Sequence, residues 1–135
     1  MSEGTQLLFV YGTLLPGLRL HHAMQGAVSL GAARVRGRLY DLGTYPGLVW
    51  GEGEGEVNGV VSGEVYRVNA AHLVRLDQIE EMIPHDPQGS LYWREPVAVL
   101  DGACAGQAVW TYRYNRAVDE HALIAHGDYR RHVLA

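Results

Sequence analysis

Short apolar runs and alternating stretches predict a chain built mainly of β-strands. Residues 7–11, Leu-Leu-Phe-Val-Tyr, form an apolar run closed by Gly12, which predicts a buried first strand. The other strands predicted from alternation and β-branched content lie at 32–42, 57–68, 96–100 and 107–114, the last two as a hairpin. Between 43 and 47 the glycines and proline indicate a loop.

Three segments have helical patterns, and the strands outnumber them. The residues 18–25 predict a short helix, and 70–82 predict a longer one, with Asn69 as its N-cap. The tail from 118 to 134 is predicted to be helical with an interruption near Gly127. Together the elements predict an α+β fold with a curved or barrel-like sheet.

Length and composition predict one ordinary globular domain, residues 1–135, with 47% hydrophobic and 19% charged residues. The net charge of −4 and scattered basic residues give no basic stripe, so no nucleic-acid partner is expected. A single cysteine, Cys104, fits a reducing cytoplasm, where the protein is expected as a monomer or weak homodimer. Neither a signal peptide nor a membrane span is predicted, so no membrane partner is expected.

Several motifs that suggest metal or nucleophile chemistry have simpler interpretations. The acidic segment 51–56 is interpreted as a solvated loop, because the other oxygen ligands of a calcium loop are absent. The adjacent His21 and His22 point about 100° apart on a helix and lack metal-ligand spacing. Cys104 has no activating neighbours in the sequence. No metal and no cofactor are expected.

The helix at 70–82 carries an anomalous carboxylate. At about 100° per residue, Glu80 falls in the apolar stripe with Leu73 and Leu76. A carboxylate aimed at a core is paired, is protonated or lines a cavity, and desolvation raises its pKa toward that of a general base. A structural glutamate held by an arginine or by backbone donors is the alternative. The pattern predicts a site without naming its reaction.

A second candidate element, Tyr11-Gly12-Thr13-Leu14, directly follows the first strand. Glycine lets a backbone approach a ligand, and amide N–H groups at a strand end suit a carboxylate. A plain strand-to-loop turn is the alternative.

Taken together in order, these elements resemble the γ-glutamylcyclotransferase-like superfamily, in particular its short members and the γ-glutamylamine cyclotransferases. Leu76-Asp77-Gln78-Ile79-Glu80 resembles its LDxxE segment, in which the glutamate is catalytic. Further matching segments are 37–43 with 45–47, 63–66, 92–94, Trp110 with Tyr112, and 127–129. The resemblance spans about residues 8 to 129 and implies a small mixed β-barrel with flanking helices.

Family membership implies cyclisation of a γ-glutamyl amide to 5-oxoproline, with Glu80 as general base and then acid. Tyr11, Gly12, Thr13 and Leu14 are expected to bind the substrate's α-carboxylate through their amides. Tyr92 and Tyr112 are expected to close the cavity or to donate to the developing oxyanion, with ordinary half-buried strand aromatics as the alternative. Arg94 is interpreted as a structural partner for a carboxylate near the pocket mouth.

Two departures from the family pattern bear on the substrate. Glu81 stands where many relatives have glycine, and the segment 82–91 is longer than a minimal loop. Two alternative functions therefore stay open. One is a cyclotransferase or acyltransferase acting on a different acyl amide, and the other is a non-catalytic protein that binds a small metabolite.

Overall fold

Five strands of the chain close into a barrel, and three short strands form a second sheet beside it. The computed structural model describes residues 4–50, 59–118 and 121–134. The strands are β1 Thr5–Val10, β2 Val28–Arg36, β3 Arg38–Asp41, β4 Pro46–Val49, β5 Val60–Asn69, β6 Tyr92–Gly102, β7 Ala108–Tyr114 and β8 Ala122–Leu123. The helices are α1 Ala70–Ile79 and α2 Tyr129–Leu134, with 3₁₀ turns at His21–Met24 and Pro87–Gly89.

The barrel strands follow the order β1-β5-β2-β6-β7. Four of the neighbouring pairs are antiparallel, and the barrel closes through a short parallel contact of β1 with β7 at Leu8 and Trp110. The second sheet has the order β4-β3-β8 and is antiparallel. An α+β fold with a small mixed barrel, as the sequence and the resemblance predicted, is confirmed.

Alternate residues of the strands supply two apolar cores. Phe9, Val35 and Val65 belong to a cluster with members from all five barrel strands, so this cluster fills the barrel interior. Leu8 and Leu76 belong to the second cluster, which joins the opposite face of β1 to α1 and to the segment after β1. Both faces of β1 are therefore covered, which explains why its sequence is an apolar run.

Residues 32–42, predicted as one strand, are two. Strand β2 ends at Arg36, and the chain passes at Gly37 from the barrel to the second sheet. A Cβ at Gly37 would lie 2.6 Å from Cδ1 of Leu48, so only glycine fits this crossing without a shift. The loop predicted at 43–47 is also shorter, because Pro46 and Gly47 begin β4 and pair with β3.

Two helical predictions were too long. Among the described residues of the tail, 118 and 121–134, only Tyr129–Leu134 is helical, because residues 122–123 pair with β3 and the carbonyl of Gly127 accepts the amide of Ser62 at 2.8 Å. The predicted helix at 18–25 is reduced to a 3₁₀ turn at His21–Met24. The acidic segment 51–56, interpreted as a solvated loop, lies outside the described residues.

No helix among residues 4–50, 59–118 and 121–134 combines the length and apolar character that a bilayer crossing requires.

Candidate active site

A cavity of about 220 Å³ lies at the carboxyl end of β1. All seven residues that the sequence singled out as site residues line this cavity: Tyr11, Gly12, Thr13, Leu14, Glu80, Tyr92 and Tyr112. They come from four parts of the chain, namely the segment after β1, the end of α1, β6 and β7. The exposed residues Arg19 and Glu81 also line the cavity and mark its mouth.

Glu80 reaches the cavity because α1 ends immediately before it. The amide of Glu81 donates to the carbonyl of Gln78 at 3.1 Å, and that of Met82 donates to the carbonyl of Asp77 at 2.9 Å. This bond pair, with Glu81 at φ 59°, is a Schellman motif. The predicted helix end at Met82 was wrong, since α1 ends at Ile79. The end was not recognised because glutamate, at Glu81, occupies the capping position where glycine is usual.

The environment of Glu80 favours its protonated form. The residue is half-buried, and its carboxyl group accepts no hydrogen bond from the described residues. Burial raises the pKa of Glu80 to about 7, the negative charge of Glu81 adds to the rise, and the charge of Arg19 opposes it. A carboxyl group with this pKa can release and accept a proton near neutral pH.

Asp77, three residues earlier on α1, has the opposite environment. Its carboxylate is buried and accepts from Arg94 Nε at 2.8 Å and Arg94 Nη2 at 3.1 Å. Tyr112 Oη donates to Asp77 Oδ1 at 2.6 Å. The guanidinium of Arg94 also lies 4.5 Å from the ring centre of Trp110, a cation–π contact. Asp77, Arg94 and Tyr112 are called the Asp77 network below.

The Asp77 network answers two questions that the sequence left open. Arg94 was interpreted as the partner of a carboxylate, and the structure identifies that carboxylate as Asp77. From the sequence, Asp77 was considered only as a substitute base in place of Glu80, and its pairing with Arg94 and Tyr112 was not predicted. A signal was present, because Asp77 lies only about 40° from Leu73 on the helical wheel.

The hydroxyl groups of the cavity tyrosines are already committed. Tyr92 Oη donates to the carbonyl of Pro46 at 2.6 Å, and Tyr112 Oη donates to Asp77. Burial is the main cause that raises the pKa of both tyrosines far above the ordinary value, so the hydroxyls keep their protons. Of the two roles expected for Tyr92 and Tyr112, these contacts favour closing the cavity over donating to an oxyanion.

Tyr11 connects the barrel to the second sheet. Its hydroxyl donates to the carbonyl of Tyr112 on β7 at 2.6 Å and accepts the amide of Leu48 on β4 at 3.2 Å. Burial raises the pKa of Tyr11 well above its ordinary value, and the charge of Glu80 raises it further. Tyr11 therefore stays protonated and is unsuited to act as a base.

The segment after Tyr11 lines the cavity, and its backbone amides lack acceptors within the described part of the chain. Among the described residues, none accepts a hydrogen bond from the amides of Gly12, Thr13 or Leu14. A Cβ at Gly12 would lie 2.6 and 2.9 Å from Cγ and Cδ of Pro46, so glycine is required there for close packing. His21 Nδ1 lies 2.8 Å from the carbonyl of Leu14 and holds the end of this segment.

A family model described as "Gamma-glutamyl cyclotransferase, AIG2-like" matches residues 8–131. The chain belongs to the γ-glutamylcyclotransferase family. The resemblance seen in the sequence is thereby confirmed, and homology supports a cyclotransferase-like enzymatic function.

Relatives and solved structures agree with this assignment. The chain is 37% identical over 123 residues to the γ-glutamylcyclotransferase family protein YtfP of Escherichia coli, covering 90% of this chain and 94% of that one. It is 34% identical over 129 residues to the γ-L-glutamyl-butirosin B γ-glutamyl cyclotransferase of Niallia circulans, covering 94% and 77%. The crystal structure of an AIG2-like protein from Mus musculus superimposes with a TM-score of 0.72 at 26% identity, covering 93% and 88%.

Of the two charged residues at the cavity mouth, Glu81 was singled out from the sequence and Arg19 was not. Arg19 Nη2 donates to the carbonyl of Thr44 at 3.1 Å, and its other donors have no described partner. Sequence reasoning singled out neither Arg19 nor Thr44. Among the described residues, no group of three or more His, Cys, Asp or Glu side chains is arranged to hold a metal ion.

Proposed function

We propose that the protein cyclises γ-glutamyl amides to 5-oxoproline and releases an amine or amino acid, with Glu80 as the proton-transfer group. The observation that carries the proposal is the carboxyl group of Glu80, which lines the cavity, has no hydrogen-bond partner among the described residues and has a pKa raised to about 7. Among the groups at the cavity, the tyrosines at 11, 92 and 112 hold their protons too tightly to act as bases.

The reaction requires few groups from the protein. The substrate's α-ammonium gives a proton to the Glu80 carboxylate, and the freed amine nitrogen attacks the γ-carbonyl carbon. A carbon–nitrogen bond forms in the five-membered ring, and the amide bond to the leaving nitrogen breaks. Glu80 then returns this proton to the leaving nitrogen, and the second proton that the attacking nitrogen loses follows by the same route, so the amine leaves as an ammonium ion, the lactam nitrogen keeps one hydrogen and the carboxylate is regenerated.

The remaining task is to hold the flexible glutamyl chain in a folded conformation. The amides of Gly12, Thr13 and Leu14 line the cavity and have no described acceptor, which supports their assignment to the α-carboxylate. Anchoring this end while Glu80 contacts the α-amine brings nitrogen and γ-carbonyl together. Such positioning removes rotational entropy before the reaction and is worth several kcal/mol in favourable cases.

The test is release of 5-oxoproline from a panel of γ-glutamyl amines and γ-glutamyl dipeptides, with an enzyme-free blank for spontaneous cyclisation. Glu80→Gln should lower turnover by about a hundredfold or more, because the amide cannot take the proton. Glu81→Gln is the matched control, since it removes the neighbouring carboxylate, and its loss should stay below about tenfold. Release at the blank rate from every substrate would contradict the reaction, and full activity of Glu80→Gln would contradict the base.

A further inference from the structure

Of the adjacent histidines His21 and His22, the side chain of His21 alone forms a hydrogen bond within the described part of the chain. His21 is half-buried, and its Nδ1 lies 2.8 Å from the carbonyl oxygen of Leu14. A carbonyl oxygen can only accept, so Nδ1 carries the proton and donates. His22 is exposed. The contact with Leu14 therefore distinguishes two neighbouring residues of the same type.

The bond from His21 orients a peptide unit that takes part in a second hydrogen bond. A peptide unit is planar, so holding the carbonyl of Leu14 also fixes the direction of the amide of Leu15, which belongs to the same unit. That amide donates to the carbonyl of Gly12 at 2.9 Å. The carbonyl of Gly12 in turn shares its unit with the amide of Thr13. Through one intermediate bond, the ring of His21 thus fixes the direction of the amide of Thr13, a residue that lines the cavity.

The next amide is fixed by the main chain. The carbonyl of Thr13 accepts the amide of Leu20 at 2.9 Å, and it shares its peptide unit with the amide of Leu14. In a trans unit the N–H points away from the group that holds the carbonyl. The amides of Thr13 and Leu14 therefore have fixed directions, and neither has a described acceptor. Successive N–H groups held in this way suit an anion.

We propose that His21 is a positioning residue for the substrate's α-carboxylate. It acts through the carbonyl of Leu14 and keeps the amides of the cavity segment oriented before the substrate arrives, so less conformational freedom is lost on binding. This inference rests on the proposed function, since it takes the α-carboxylate as the group that the amides of Thr13 and Leu14 bind.

The experiment compares two substrates that differ only in the group that His21 is proposed to serve. They are γ-glutamyl butylamide and γ-aminobutyryl butylamide, in which a hydrogen atom replaces the α-carboxylate while the amine and the amide carbonyl stay. In both compounds the amine attacks the amide carbonyl carbon, a five-membered lactam forms and butylamine leaves. Only the first compound offers a carboxylate to the oriented amides.

His21→Leu removes the donor. For γ-glutamyl butylamide it should raise KM about five- to tenfold and keep kcat within about threefold, because the lost interaction stabilises the ground state and the transition state alike. For γ-aminobutyryl butylamide it should change kcat/KM by less than about twofold. His22→Leu is the matched control and should leave both substrates unaffected.

Two amide side chains test the position of the donor. His21→Asn can place its N–H near the position of Nδ1 and should restore KM for γ-glutamyl butylamide to within about twofold of wild type. His21→Gln carries the same amide one methylene farther out, at the position of Nε2, and should behave like His21→Leu. This pair keeps the test decisive if His21→Leu does not fold, which circular dichroism would reveal.

Three results would overturn the inference. An unchanged KM in His21→Leu would show that the bond has no effect on the substrate. An equal loss for both substrates would show that His21 supports only the fold of the segment. Asn and Gln variants with the same KM would show that the position of the donor does not matter.

Failure of the proposed function would be seen separately, as no lactam from either substrate. Calorimetric titration of both compounds into Glu80→Gln, with and without His21→Leu, then decides whether His21 serves the carboxylate. The dissociation constant of γ-glutamyl butylamide alone should rise about five- to tenfold when His21 is replaced, even in a non-catalytic protein. Equal dissociation constants with and without His21, or no binding of γ-glutamyl butylamide, would overturn the inference.

Discussion

Asp77 and Glu80 are two carboxylates three residues apart at the end of one helix, and their surroundings assign them different roles. Asp77 is buried and accepts hydrogen bonds from Arg94 and Tyr112, so its charge is compensated within the protein. Glu80 faces a cavity without a described donor, and burial raises its pKa to about 7. One carboxylate holds the helix in place, and the other lines the cavity without a hydrogen-bond donor among the described residues.

The difference teaches that the neighbours of a carboxylate, and not its residue type or its helix, decide its chemistry. The Asp77 network attaches the last turn of α1 to β6 and β7. The Schellman motif then ends the helix so that the next side chain, Glu80, lines the cavity. The Asp77 network, whose hydrogen bonds are complete, thus positions Glu80, whose carboxyl group has no described donor.

The largest expected effect on stability comes from removing the carboxylate of Asp77. Asp77→Asn should reduce the free energy of unfolding by about 3 kcal/mol, because the partly buried guanidinium of Arg94 loses the charge that it pairs with. Urea unfolding followed by circular dichroism measures it. Asp101→Asn is the matched control, because Asp101 also pairs with an arginine, Arg34, but at the exposed surface, and its effect should be much smaller. Equal effects of the two changes would contradict the comparison.

Removing the carboxylate of Glu80 should change the free energy of unfolding in the opposite direction. The folded-state pKa of Glu80 is raised, so the folded protein holds a proton more firmly than the unfolded chain, and stability falls as pH rises from about 4.5 to 7. Glu80→Gln should therefore be more stable than wild type by up to about 3 kcal/mol above pH 7 and nearly equal below pH 4. Urea unfolding at a series of pH values measures this difference. A loss of stability at pH 8 would show that Glu80 is a structural residue.

Substitutions of Tyr112 and Tyr92 test whether their hydroxyl groups contribute to stability or to the reaction. Tyr112→Phe should cost about 2 kcal/mol of stability, because it removes a hydrogen bond to a charged group, and Tyr92→Phe should cost about 1 kcal/mol. Both should keep kcat within about tenfold of wild type, since neither hydroxyl is available to the substrate. A loss of a hundredfold or more in kcat would instead identify an oxyanion donor. Chemical unfolding and 5-oxoproline release, measured on the same preparations, separate the two outcomes.

The parts of the site that could be predicted from the sequence are single residues whose type is unusual for their position in a local pattern. Glu80 interrupts an apolar stripe, and Gly12 follows an apolar strand, so both were identified before the structure was considered. The pairing of Asp77 with Arg94 joins residues 17 positions apart on different elements, and no local pattern determines it. Only a general role as a carboxylate partner was predicted for Arg94.

The misplaced elements have a similar cause. The helix α1 was predicted to end at Met82, whereas it stops at Ile79, at a cap that lacks the expected glycine. The tail has helical composition, but its pairing with β3 and the contact of Gly127 with Ser62 determine its structure. In each case a tertiary contact or an unusual cap overrides the local preference of the sequence.

The hydroxyl of Tyr11 bears on how the substrate range of such a protein can diverge. By joining the backbones of β7 and β4, it fixes to two sheets at once the end of the cavity that the proposed function assigns to the acyl group. Enlarging that end for a longer acyl chain would break both bonds and shift main-chain atoms. The end that the proposed function assigns to the leaving amine is bordered by the exposed side chains of Arg19 and Glu81, which single substitutions can replace without moving the backbone. New amines are therefore far easier for this scaffold to acquire than new acyl groups.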